Sequence, residues 1–398
     1  MKKLLLATSA CALMAGAAAA EDVKIGILIG FTGPIESLTS HMANAAEAAM
    51  AEVNASGKAK NTYTSVRGDS TCVDAAAATA AAERMVTAEG VKGIIGGDCS
   101  GVTRAVLTNV AMPNGIVMVS PSATSPALTA DPDNGLFFRT APSDAREGEV
   151  MGEILSEKGV KSIALTYSNS DYGKGLAEAI AAGFAAKGGT VTINAAHDDG
   201  KADYSAEVAA LAAAGGDILV VAGYLDQGGK GIIQASLDTG AFTTFGLPGG
   251  MVGDSLPAAI GPALDGSYGQ VAQSDSEGAA ILADMGKAND PAYDATSPYT
   301  MESYDAAALI MLAMEATGST DSNVYKEKIM EIANGPADGS GVKILPGELG
   351  KALELIAAGT AIDYDGASGV TLIGPGESAG RYKQFEVKGG VYETVQFR

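Results

Sequence analysis

Val23-Lys24-Ile25-Gly26-Ile27-Leu28-Ile29 is a short, nearly continuous apolar run followed by Gly30, and Lys161-Ser162-Ile163-Ala164-Leu165-Thr166 repeats the form in mid-chain. Runs of this kind are what a parallel strand needs when helices cover both of its faces. After the first run, Thr39 to Asn54 carries apolar residues at helical spacing and meets a stop signal at Gly57. The alternation continues through a strand at Tyr63–Val66, a helix from Asp74 to Ala88, a strand at Val91–Gly96, a helix at Thr103–Ala111 and a strand at Gly115–Ser120. After the second run come a helix at Gly173–Ala186, a strand at Thr190–Asn194, a helix at Ser205–Ala213 and a strand at Asp217–Ala222. Two βαβ series in one chain predict an α/β protein of two doubly wound parallel-sheet lobes. A further helix, Tyr299–Thr317, is expected to return to the first lobe.

Outward from these runs, residues 1–20 read as a secretory leader. Lys2 and Lys3 supply the positive start, Leu4 to Met14 the apolar core, and Ala18-Ala19-Ala20 the small-residue cleavage site. Elsewhere no stretch of about 18 apolar residues is present to span a membrane. The chain holds 47 acidic against 26 basic residues, a formal net charge of −21. Such a surface is repelled by nucleic acid and by anionic lipid, so neither is expected as a partner. Cys11 falls within the leader, leaving Cys72 and Cys99. In an oxidising compartment a Cys72–Cys99 bridge is the economical reading, with two buried free thiols as the alternative.

Enzyme chemistry finds little support in the motifs. Neither a P-loop nor a dinucleotide-binding glycine fingerprint follows a strand, and there is no G-x-S-x-G elbow. His41 and His197 are the only imidazoles; neither has metal-ligand spacing, and His197 beside Asp198 and Asp199 is expected in a solvated loop. No cofactor and no metal are therefore expected. Instead, four turns at strand ends can face one crevice, the place where doubly wound sheets bind ligands. Gly97-Asp98-Cys99-Ser100-Gly101 opens a helix and offers free N–H groups and the Ser100 hydroxyl to a carboxylate. Ser120-Pro121-Ser122-Ala123-Thr124-Ser125-Pro126 follows the next strand. In the second half, Ser168 to Gly175 and Val221 to Gly228 each bring an aromatic residue, Tyr172 and Tyr224, next to glycine.

In order and spacing these turns, together with Gly30-Phe31-Thr32-Gly33-Pro34, Phe138-Arg139-Thr140 with Asp144, and Tyr304-Asp305-Ala306, resemble the periplasmic branched-chain amino-acid-binding family of type I periplasmic-binding fold. The resemblance runs over most of the chain after the leader. It implies a hinged protein with three interlobe crossings that closes on a ligand and docks on the permease of an ABC importer. Crossings are expected near 141, 270 and 365, giving residues 21–141 and 271–365 to the first lobe and 142–270 and 366–398 to the second. By the same resemblance Ser100 and Thr124 hold the ligand's carboxylate and ammonium groups, Ser122 contributes main chain, Tyr172 and Tyr224 close from the second lobe, and Cys72 and Cys99 pair. Arg139 and Asp144 read as structural residues of the first hinge. A monomer is the default for a protein that must present both lobes to a permease.

One departure bears on the ligand. The family's amino-acid binders carry an acid in the second-lobe loop where this chain reads Phe245-Gly246-Leu247-Pro248-Gly249-Gly250-Met251-Val252. A buried ammonium without a counter-charge is costly. Glu36 and Asp226 are the expected replacements, with Asp254 slightly displaced; failing these, the ligand is an amide, a urea-like solute or a carboxylic acid. A ligand-sensing regulator on the same fold is the other class to weigh.

Overall fold

The structure, a computed structural model, describes residues 21–289 and 294–398, so the expected leader lies outside the described residues. Five parallel strands build the first lobe: β1 (Glu21–Ile29), β2 (Asn61–Asp69), β3 (Ile94–Gly96), β4 (Met118–Ser120) and β5 (Phe137–Pro142). Five more build the second: β6 (Ser162–Ser168), β7 (Thr190–His197), β8 (Ile218–Ala222), β9 (Phe245–Leu247) and β10 (Tyr268–Ala272). Each set runs in the order 2-1-3-4-5 within its own sheet. The apolar opening run explains this placement. Val23, Ile25, Ile27, Leu28 and Ile29 are all buried, and β1 sits between β2 and β3 with both ladders parallel.

Later in the chain come β11 (Val342–Ile344), β12 (Ile362–Tyr364), β13 (Leu372–Ile373), β14 (Glu377–Ser378), β15 (Tyr382–Lys388) and β16 (Val391–Phe397). Strands β11 and β12 form a small separate sheet. β14 joins the first sheet beside β5, with β13 antiparallel to it. β15 and β16 extend the second sheet antiparallel from β10. The chain thus changes sheets after β5, after β10 and between β14 and β15. The last change falls at residues 379–381, later than the expected crossing near 365. Its cause is a charge: Glu377 is drawn to the first lobe by Arg139, a guanidinium 1% exposed, at 2.5 Å.

The helix Thr300–Thr317 does return to the first lobe, buried along almost its whole length against the helix Glu36–Ser56. One apolar cluster runs from there through the helix Asp144–Glu157 to Tyr172 and Tyr224 of the second lobe. A second cluster covers the far face of the second sheet. His197 corrects its expected place. It ends β7 buried, its Nδ1 2.8 Å from the Thr166 hydroxyl, and burial pushes its pKa down to about 4.

Cys72 and Cys99 are joined, their Cα atoms 5.1 Å apart. The bridge ties the loop after β2 to the turn after β3, and Asp98 reinforces it by accepting from Gly30 N–H at 2.7 Å and the Ser70 hydroxyl at 2.6 Å. With 27 residues of separation, loop-closure entropy is worth about 3.5 kcal/mol. Replacing both cysteines by serine should lower the unfolding free energy by about that amount in a urea titration; an unchanged midpoint would show that the rest of the loop suffices.

Candidate functional site

The first-lobe half of the site is a rigid polar shelf. Ser100 is the first residue of the helix Ser100–Val106, and its Oγ accepts the Ser125 N–H at 3.1 Å. Ser120 Oγ donates to the Gly97 carbonyl at 2.5 Å and accepts from Ala123 N–H at 2.9 Å. Ser122 Oγ donates to the Asp98 carbonyl at 3.0 Å. From behind, Arg139 donates to the Ala123 and Ser125 carbonyls at 3.1 and 3.0 Å. The Ser122 hydroxyl is therefore spent on the turn itself. Thr124 lies at its crest, buried, with its hydroxyl bearing on the Asp144 carboxyl and its carbonyl accepting the Asp144 N–H at 2.8 Å.

From the second lobe, Tyr172 and Tyr224 stack on each other, ring centroids 4.9 Å apart and planes 25° apart. The Tyr172 hydroxyl accepts from Gly250 N–H at 3.0 Å. Here the two glycines find their reason. A Cβ on Gly250 would stand 2.5 Å from the Tyr172 hydroxyl and 2.6 Å from the Gly223 carbonyl. One on Gly249 would stand 2.8 Å from the Tyr299 hydroxyl and 3.4 Å from Glu147 Oε1. The space a loop side chain would use is already filled by two tyrosines and a carboxylate.

That carboxylate comes from the helix Asp144–Glu157, which opens just past the first crossing with Ser143 as its N-cap. Gly148 and Gly152 seat it tightly, since a Cβ on either would fall within 2.3 or 2.5 Å of the backbone at Ala179 or Gly183. Asp144 and Glu147, one turn apart, are both buried. Glu147 Oε1 accepts from Gly249 N–H at 2.7 Å and from Gln270 Nε2 at 3.1 Å. Asp144 is different: both of its oxygens are sealed from solvent, no N–H donates to them, and the only hydrogen-bonding groups that bear on them are the Thr124 hydroxyl and the Glu147 carboxyl. Burial first, and then the neighbouring Glu147 charge, push the Asp144 carboxyl well above the usual carboxylate range; burial also raises Glu147. Around the pair stand Tyr172, Tyr224, Tyr299 and Tyr382.

The two acids expected to replace the missing one are elsewhere. Glu36 is exposed and accepts from Gly33 N–H at 3.3 Å. Asp226 accepts from Ser37 N–H at 3.2 Å and its hydroxyl at 2.7 Å, and from the Ser255 hydroxyl at 2.6 Å. Its own N–H donates to the Pro34 carbonyl at 2.8 Å. These bonds make Asp226 a strap between lobes. On the opposite flank Arg104 approaches Asp171 at 3.7 Å, beside an interlobe groove of 790 Å³ that lies outside the stacked tyrosines. Sequence reading passed over Asp144 as structural and did not single out Glu147 or Tyr299. Acids in a helix's first turn ordinarily answer the helix dipole, and only their burial as a pair sets these apart.

Two doubly wound lobes strapped face to face over a sealed polar site define a hinged protein that encloses a small ligand. The chain belongs to the periplasmic binding protein family, whose model matches residues 22–334. It is 30% identical over 323 residues to a Leu/Ile/Val-binding protein homolog of Brucella melitensis, covering 79% of this chain and 84% of the relative. To the Leu/Ile/Val-binding protein of Escherichia coli it is 32% identical over 267 residues, covering 66% of this chain and 71% of the relative. Among solved structures, the branched-chain amino acid substrate-binding protein LivJ of Streptococcus pneumoniae, in complex with isoleucine, superposes with a TM-score of 0.76 at 21% identity, covering 94% of this chain and 99% of that one. An R. palustris solute-binding protein in complex with 4-hydroxybenzoate gives 0.75 at 19% identity, covering 95% and 97%. Among the described residues no group of His, Cys, Asp and Glu is arranged to hold a metal ion, and no helix is long and apolar enough to cross a membrane.

Proposed function

We propose that the protein is the periplasmic solute-binding component of an ABC importer and captures a small amino acid, of the branched-chain class first, by closing its lobes and presenting the closed form to the permease. The carrying observation is the sealed Asp144 carboxylate, to which no N–H donates, beside Thr124 on the serine shelf. A zwitterion answers both halves of that arrangement. Its carboxylate meets the helix N-terminus at Ser100 with the main chain of the Ser122–Thr124 turn, and its ammonium meets the acid. Tyr172 and Tyr224 cover the side chain. The names of the relatives, Leu/Ile/Val-binding proteins, agree with this reading. Capture makes and breaks no covalent bond, so the protein is not an enzyme in this reading, requires no cofactor and works as a monomer.

Thermal-shift screening of ligand-stripped protein against amino acids, amides, urea analogues and small carboxylates tests it. A ligand at a hundred times its dissociation constant adds about 2.7 kcal/mol of stability. Ser100→Ala with Thr124→Ala should weaken the best ligand at least about a hundredfold, because each hydroxyl bonds a charged group. Unchanged affinity in the double variant would move the site elsewhere.

A further inference from the structure

Glu147 and Asp144 pose a problem the fold does not solve by itself. Two carboxyl groups one helical turn apart are buried together, and the cation that bears on Asp144 is already engaged. That cation, Arg139, is spent on Glu377, the Thr129 hydroxyl and the Ala123 and Ser125 carbonyls. No N–H donates to either Asp144 oxygen; the only hydrogen-bonding groups that bear on it are the Thr124 hydroxyl and the Glu147 carboxyl. Glu147 Oε1 has two donors, Gly249 N–H and Gln270 Nε2, both neutral. Like charges this close in a medium of low polarity do not both ionise, so a shared proton is the way the empty site can hold them. A bound cation is the other way.

The groups facing the pair leave no other source of charge. Tyr172 and Tyr224 from the second lobe, Tyr299 from the segment before Thr300, and Tyr382 from β15 are phenols that burial keeps neutral. Glu302, which bears on Tyr299, adds only further acid. The Gly249 main chain, meanwhile, lets Glu147 reach the wall of the site from the hinge side: its Oε1 lies 3.4 Å from where a Gly249 side chain would begin.

We infer that Glu147, acting with Asp144, is the receptor for a cationic ammonium group on the ligand, and that the proton shared by the two carboxyls leaves to solvent as that group binds. Resting on the capture reading above, this deepens it: the hinge helix, rather than a second-lobe loop, selects ammonium-bearing solutes over their des-amino counterparts. Charge balances in the step. The empty pair carries one negative charge and one proton; the filled pair carries two negative charges against the ligand's positive one, and one proton appears in the medium.

Isothermal titration of the ligand-stripped protein at neutral pH, in two buffers of different ionisation enthalpy, tests this. The probes are the tightest-binding common L-amino acid and the carboxylic acid that lacks its amino group. Wild type should release about one proton per amino acid bound and prefer it over the des-amino acid at least about a hundredfold. Glu147→Gln, nearly isosteric, should lose about fiftyfold for the amino acid and little for the des-amino acid. The inference is overturned if the des-amino acid binds wild type as tightly as the amino acid, or if Glu147→Gln keeps the full preference. If neither amino acids nor their des-amino and amide analogues bind at all, the capture reading itself is wrong, and the inference goes with it.

Discussion

Arg139→Met should cost about 3–5 kcal/mol of unfolding free energy, the usual penalty for removing one partner of a buried ion pair. The size follows from what the guanidinium does at once. It neutralises Glu377 at 2.5 Å, bonds the Thr129 hydroxyl at 2.7 Å and holds the Ala123 and Ser125 carbonyls of the serine shelf. Methionine fills the space of the stem but leaves Glu377 without its cation, with only the Thr129 hydroxyl donating to it, and the Ala123 carbonyl without a donor. Urea unfolding followed by circular dichroism reads the loss. Pairing the change with Glu377→Gln should return part of it, since the stranded charge is then gone, and a double-mutant cycle measures the coupling. The partner lies on β14, the last strand before the chain leaves the first lobe. The same variant should therefore loosen the third crossing and weaken ligand binding in proportion. A loss below about 1 kcal/mol would mean that Arg139 is solvated on opening and pins nothing.

That ion pair also shows where sequence reading ends. The lobes were legible because β1 and β6 are apolar runs buried on both faces, and because the chain restarts the same order after the first hinge. Short strands such as Leu372–Ile373 and Glu377–Ser378 carry no period to read. The pairing of Glu377–Ser378 with β5 is decided by Arg139, distant in sequence, so the crossing expected near 365 falls at 379–381. His197 was misplaced for a related reason: its neighbours Asp198 and Asp199 are polar, but Gly223 and Gly228 let the next loop close over the ring, within 3.3 Å of where their side chains would begin.

The site divides in the same way. Turns that end strands and open helices can be found from glycine, serine and proline spacing, which is how Ser100, Ser122, Thr124, Tyr172 and Tyr224 came to be singled out. Residues whose meaning lies in what surrounds them could not be found so. Asp226 looked like a spare acid and is a strap to Ser37, whereas Asp144 looked like a structural residue of the hinge and is buried beside Glu147 and Thr124. Glycines at 249 and 250 signalled that an acid had gone. Only the packing of Glu147 against Gly249 N–H shows which one stands near its place.

Asp144→Asn should separate stability from binding more sharply than any other single change. The carboxyl is buried beside Glu147, and its pKa is raised by burial and by that neighbour. A group whose folded pKa lies above its unfolded one makes the native state bind the extra proton, so its stabilising contribution is full at acid pH and is lost as pH rises through the raised value. Wild type should therefore lose ground to Asp144→Asn as pH rises above the ordinary carboxylate range, with the variant about 1–3 kcal/mol more stable once the pH has passed the raised value. Glu302, pushed up to about 8 by burial, adds a slope of the same sign, but it is common to both proteins and cancels in the difference. Ligand reverses the order. Losing the charge that meets an ammonium should weaken amino-acid binding about a hundred- to a thousandfold, so saturating amino acid raises the melting temperature of wild type and hardly moves that of the variant. Thermal melts across this pH range, with and without ligand, carry both readings. An asparagine variant that binds as wild type does, or that is the less stable of the two without ligand at the alkaline end of the range, would make Asp144 a hinge residue and leave Glu147 alone to meet the ammonium.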